Sequence, residues 1–190
     1  MTQNISFKST FRPVNKYEFA RISNKIDKKF YVDYPWTIKE SVKATHAKTK
    51  DIFDCSVLGI TDGKDVLLMH LCPSIPENLD FNKIKNFIMR KIKIDNSNLQ
   101  AVLIGSQFNW QQSKSLNDFL LSLVNKWNIP CSILNSSQNP VNVAYFSDTD
   151  EWVINSSNID KAMINRETDS EKMFKSEFRT VKLSHLDEFA

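Results

Sequence analysis

Apolar positions along the chain follow first one period and then another, and each change of period marks an element. After a polar stretch over residues 1–14, broken at Pro13 and read as an extended arm, Phe19, Ile22, Ile26 and Phe30 recur at helical spacing. They predict a helix from Asn15 that covers a sheet. Tyr31 to Trp36 is aromatic and closes on Pro35-Trp36, which suits a strand or an irregular packing segment, and a polar connection follows from Ser41 to Lys48. Two apolar runs then flank Asp62-Gly63, a dipeptide that readily supplies the positive φ angles of a tight hairpin turn. With Asp62 and Gly63 as the central turn residues, Cys55 stands directly opposite His70.

Beyond this hairpin, Pro73 and Pro76 punctuate a loop. Asn78 or Asp80 is placed to cap a helix striped by Phe81, Ile84, Ile88 and Ile92. Ala101 to Ile104 reads as a short buried strand. A helix starting near Ser113 or Ser115 carries Leu116, Phe119, Leu120, Leu123, Val124 and Trp127 on one face and ends at Pro130. Cys131 to Leu134 predicts a strand, and Val141 to Phe146 with Trp152 to Ile154 a second hairpin around residues 147–150. The last stretch is charged and polar, with Met173, Phe174 and Phe178 at helical spacing, either a docked helix or a mobile tail. Together these elements predict an α+β fold whose β core is mixed and mainly antiparallel, layered or sandwich-like, and flanked by helices.

Composition narrows the class. The 190 residues suffice for one domain with a core, and 41% hydrophobic with 25% charged residues suits a globular protein. The longest apolar run, Val66 to Met69, is far too short to span a bilayer, so no membrane segment is expected. Lys8, Arg12 and Lys16 interrupt the first residues without an apolar run between them, which argues against a cleavable secretory signal. The net charge of +3 is scattered and lacks interleaved aromatics, so nucleic acid is not an expected partner. Three cysteines at irregular spacing make no disulfide framework and suit a reducing cytoplasm.

Chemistry concentrates on the first hairpin. A thiol facing an imidazole across a strand pair is the arrangement of an activated cysteine nucleophile, and it is equally compatible with ordinary packing of a buried cysteine. Cys55, His70 and Cys72 also offer three soft ligands, but no fourth lies at a familiar metal-site spacing, so neither metal nor organic cofactor is expected. Strand alternation turns Asp54 to the face opposite Cys55. Gln107, Asn109 and Trp110 are either cleft-lining or plain loop residues, and His46 and His185 read as solvated.

The pattern Thr49, Cys55, His70-Leu71-Cys72-Pro73 resembles the chemotaxis receptor glutamine deamidase (CheD) family, in which a Thr precedes the nucleophilic Cys by six positions and a hairpin ends in a His-containing Leu-Pro segment. Ala101–Ser106 is similar to that family's strand ending in Phe-Gly-Gly-Ala, and Phe119–Pro130 to its following helix. Asn142–Phe146 with Trp152–Ile154 is similar to its last hairpin. The resemblance implies a deamidase core over 45–155, an N-terminal arm and helix (1–44) packing on it, and a charged tail (156–190). It implies Cys55 as nucleophile, His70 as general base and acid, and Thr49 as the group that orients His70. The activity implied is a thiol-dependent amidohydrolase that converts glutamine of a protein substrate to glutamate. Related toxin deamidases act on host proteins. The family's small residues before the cysteine and histidine are replaced by Phe53-Asp54 and Leu68-Met69, and its last turn by Ser136–Pro140. These departures favour an effector or toxin delivered without a cleavable signal to a host cytosol over a chemoreceptor enzyme.

Overall fold

In the central hairpin, alternate residues of each strand, Val57, Val66 and Leu68, join one buried cluster, and the residues between them, Leu58, Ile60, Leu67 and Met69, join a second. A hairpin buried on both faces must lie inside a layered structure, and the remaining elements supply the layers. The computed structural model describes residues 8–32, 37–94, 97–105, 111–135, 140–157 and 178–181. Its elements run β1 (Thr10–Pro13), α1 (Lys16–Ser23), β2 (Val42–Ala44), β3 (His46–Ile52), β4 (Ser56–Thr61) and β5 (Val66–Leu71). They continue with α2 (Phe81–Lys91), β6 (Gln100–Gly105), α3 (Gln111–Lys126), β7 (Cys131–Asn135), β8 (Val141–Phe146), β9 (Glu151–Ser156) and β10 (Phe178–Val181).

The strands form a four-stranded sheet ordered β1-β9-β8-β3 and a six-stranded sheet ordered β10-β7-β6-β4-β5-β2. Most pairings are antiparallel; β1 with β9 and β6 with β7 are parallel, the latter joined through α3 as a parallel pair requires. The fold is therefore α+β, with a mixed and mainly antiparallel β core in layers. Ala47, Ile52, Val143, Tyr145 and Trp152 of the smaller sheet pack against Val57, Leu68, Val102 and Ile104 of the larger. Gly59 makes this approach possible: a Cβ there would lie 2.2 Å from the Trp152 ring. Ile84 and Ile88 of α2 and Leu116, Leu120 and Val124 of α3 cover the larger sheet's other face. Phe19 of α1 and Ile26 cover Ala144 and Val153 of the smaller one.

Four sequence expectations change. The predicted first helix stops at Ser23; Ile26 and Phe30 follow in turns, capped by the Asp27 side chain, that hold both residues on the same layer and so preserve the helical spacing. The expected polar connection from Ser41 to Lys48 is instead β2 and the first part of β3. Its polar residues mask a strand because Lys48 and Thr49 find buried partners in other elements. Of the tail, Phe178–Val181 is a strand antiparallel to β7, since the sheet edge offers main-chain pairing that helical spacing does not reveal. The stretch from Met173 to Phe174 lies outside the described residues.

The hairpin turn is also wider than expected. Thr61 pairs with Val66, leaving Asp62–Asp65 as the loop. The Asp62 carboxylate accepts the N–H groups of both Lys64 and Asp65 at 3.0 Å, stabilising a longer turn in which Gly63 takes φ +87°. The whole ladder shifts by two positions, so His70 opposes Val57 instead of Cys55.

Candidate active site

Thr49 shares its face of β3 with Ala47, and both point between the sheets. His70 shares its face of β5 with Leu68 and points the same way, which brings the two polar side chains together within the apolar sandwich. Thr49 Oγ1 donates to the Val32 carbonyl at 2.8 Å and lies 2.6 Å from His70 Nδ1. A hydroxyl has one proton, and a carbonyl can only accept. With that proton on Val32, the contact to His70 is satisfied when Nδ1–H donates to Thr49, which leaves the ring's basic lone pair on Nε2. Both side chains are fully buried, and burial pushes the imidazole down to about 3. At neutral pH His70 is an uncharged base held in one tautomer.

Behind Thr49 the strand is bent on purpose. The β3–β8 register shifts between Thr49 and Ile52, and Asp51 adopts φ +56°. The Asp51 N–H donates to Asn142 Oδ1, Asn142 donates to Asn155, and Asn155 donates to the Val14 carbonyl. This relay of amides pins the bulge to β8, β9 and the segment after β1. From it the chain turns through a bend at 53–55 into β4.

Cys55 is the residue before β4 and is buried. It precedes Ser56, whose partner Leu71 closes the ladder, so Cys72 is the next residue on the facing strand, near enough to bear on the Cys55 thiol. His70, one residue short of the end of β5, lies two positions before Cys72 on that facing strand. The structure thus joins His70 to Thr49 and sets Cys55 and Cys72 together at the open end of the same hairpin. Burial first, then Cys72 and the Asp54 charge, pushes the Cys55 thiol well above the usual cysteine range. The expectation that alternation removes Asp54 from the thiol is corrected: 53–55 is a bend, where strand alternation does not hold. The bend is fastened to the first turn of α3, where the buried Ser113 hydroxyl donates to the Asp54 carbonyl at 2.9 Å.

Several contributors carried no sequence signal of their own. Val32 acts through its carbonyl, and Ser113 stood out only as a helix start. Asp51 is a residue type that tolerates left-handed backbone, but nothing in its sequence setting marked a bulge there. His46 is half-buried and accepts the Ser147 N–H through Nδ1, so it braces the β8–β9 turn instead of standing in solvent. Gln107, Asn109, Trp110 and His185 lie outside the described residues, as do Ser136–Asn139.

Among the described residues, no three His, Cys, Asp or Glu side chains converge as a metal site would need. No described helix is long and apolar enough to cross a membrane. One cleft of ≈ 420 Å³ lies where α2 and α3 begin, lined by Leu79, Phe81, Gln111, Gln112 and Ser115, at the Cys55 end of the hairpin. A second, of ≈ 540 Å³, lies at the opposite end beside the 62–65 turn and the end of α2. Fold and site together define a two-sheet α+β protein with an oriented neutral histidine in a hairpin strand and a buried thiol at that hairpin's open end. No protein-family model matches the chain, and no curated protein matches it.

Proposed function

We propose that the chain is a cysteine-dependent amidohydrolase that deamidates glutamine in a protein substrate, as its resemblance to the chemotaxis receptor deamidases implies. The observation that carries this reading is the relay from His70 Nδ1–H through the Thr49 hydroxyl to the Val32 carbonyl. Such a relay serves a general base, because it leaves Nε2 able to accept a proton and steadies the imidazolium formed when it does. In the proposed reaction His70 takes the Cys55 proton as sulfur attacks the glutamine carboxamide carbon. Backbone N–H groups at the 53–55 bend stabilise the oxyanion, each worth about 3–4 kcal/mol where such donors have been removed. The proton passes from His70 to the leaving ammonia, and a thioester remains. Water, deprotonated by His70, then hydrolyses it to glutamate and regenerates the thiol. The target proposed is a host protein met in a reducing cytosol, with the chain acting as an effector or toxin.

Burial disfavours both the thiolate and the imidazolium, so the resting site is a neutral pair and proton transfer belongs to the substrate-bound state. The same observation favours a second reading, a catalytically silent binding module on this fold. Peptide mass spectrometry of a cell lysate incubated with the protein or its Cys55→Ser variant separates the two. A Gln-to-Glu gain of about one mass unit, confined to the unaltered protein, is the expected signature of a thioester route. No modified peptide in any lysate, together with a Cys55 inert to alkylation, establishes the silent module.

A further inference from the structure

We propose that Cys55 and Cys72 form a modification site: a reversible disulfide made by hydroperoxides, which locks the end of the β4–β5 hairpin and withdraws the Cys55 sulfur from other chemistry. Ser56 pairs with Leu71 at the last rung of the ladder, so Cys55 and Cys72 are the first residues beyond it on the two strands. Opposed residues in such a ladder have Cα atoms about 4.5–5.5 Å apart, and the two residues flanking its last rung start from that separation, within reach of the roughly 4.4–6.8 Å span that a disulfide bridges. Cys72 is near enough to the Cys55 thiol to help hold its proton in place. Little movement separates the dithiol from the bond.

The two cysteines differ in access, and that difference divides the labour. Cys72 is partly exposed and its sulfur lies 2.9 Å from the Ser74 hydroxyl, whereas Cys55 is buried. A hydroperoxide therefore meets Cys72 first. The Cys72 thiolate attacks the distal peroxide oxygen, the O–O bond breaks, and an alcohol (water, for hydrogen peroxide) leaves with the proton to give the sulfenic acid. The Cys55 sulfur then attacks the Cys72 sulfur and the S–O bond breaks. The departing hydroxide takes the Cys55 proton and leaves as water, and the S–S bond remains. Two thiols lose two electrons to the peroxide, which is reduced to alcohol and water. The third cysteine stays out of this chemistry, since Cys131 belongs to the core on the helix-covered face of the larger sheet.

This inference rests on the hairpin geometry and is independent of the amidohydrolase reading. The reduced full-length protein is treated with hydrogen peroxide, quenched, and digested without reductant. The expected result is a peptide pair linking Cys55 to Cys72, an intact mass lower by two hydrogens, and a fall in thiols titrated after denaturation from three to one. Dithiothreitol restores all of them. In Cys72→Ser protein the two-thiol loss disappears. A Cys72 sulfinic or sulfonic acid beside an intact Cys55 thiol overturns the proposal, as does a linked peptide containing Cys131. Deamidase assays play no part in this readout, so failure of one proposal leaves the other standing.

Discussion

Replacing Thr49 with Val removes the hydroxyl at the centre of the site while nearly preserving shape. Two hydrogen bonds disappear, to Val32 O at 2.8 Å and to His70 Nδ1 at 2.6 Å, in a location where Thr49 and His70 have no exposed surface. The variant leaves a buried carbonyl and a buried N–H facing a methyl group. Each stranded group costs about 1–3 kcal/mol, so the expected loss is about 2–6 kcal/mol, a large share of the roughly 5–15 kcal/mol that holds a domain folded. Thr49→Ser keeps the hydroxyl and gives up one methyl, a loss of about 1 kcal/mol. Equilibrium urea unfolding followed by tryptophan fluorescence measures both, with an unchanged m-value showing that the difference lies in stability. The reasoning is refuted if Thr49→Val unfolds at the same midpoint as the unaltered protein, or if Thr49→Ser is as damaging as Thr49→Val.

Three further outcomes are expected. Gly59→Ala forces a Cβ to within 2.2 Å of the Trp152 ring and must spread the sheets, so it destabilises by about 1–3 kcal/mol or more and shifts the Trp152 emission. His70, held near pKa 3 when folded, regains an ordinary value near 6.5 on unfolding, so below about pH 6.5 the unfolded chain binds the extra proton. Its contribution is complete above that pH and is lost as the pH falls toward 3; the cost reaches about 2 kcal/mol by about pH 5, and His70→Phe removes that part of the slope in pH-dependent unfolding. Under native conditions iodoacetamide labels the partly exposed Cys72 ahead of the buried Cys55 and Cys131, which peptide mapping over a time course reads directly.

Where one face of an element is apolar, the sequence was legible. The stripes of α2 and α3, the run that became β6 and the β8–β9 hairpin all lie where periodicity sets them. β3 was opaque, because His46-Ala47-Lys48-Thr49-Lys50 reads as a solvated connection. Its burial depends on partners far along the chain: the Ser23 carbonyl for Lys48, and His70 with the Val32 carbonyl for Thr49. The hairpin itself was visible in Asp62-Gly63, but its register was not. That register rests on one carboxylate capping two N–H groups, and a shift of two positions keeps every residue on its original face. For this reason His70 keeps its face although it opposes Val57 and not Cys55, and Cys72, set aside as an incomplete metal ligand, lies beside Cys55 at the open end of the hairpin.

The most direct test of the site is the tautomer and charge of one imidazole. In protein labelled with ¹⁵N-histidine, two-bond ¹H–¹⁵N spectra, with His70→Gln to assign the signal, distinguish which ring nitrogen carries the proton. The hydrogen-bond relay predicts a neutral His70 ring protonated on Nδ1 through the whole range in which the protein is folded above about pH 4, with Nε2 as the basic nitrogen. A ring protonated on Nε2 alone, or one that titrates near the ordinary value of about 6.5, contradicts the arrangement on which the proposed chemistry depends.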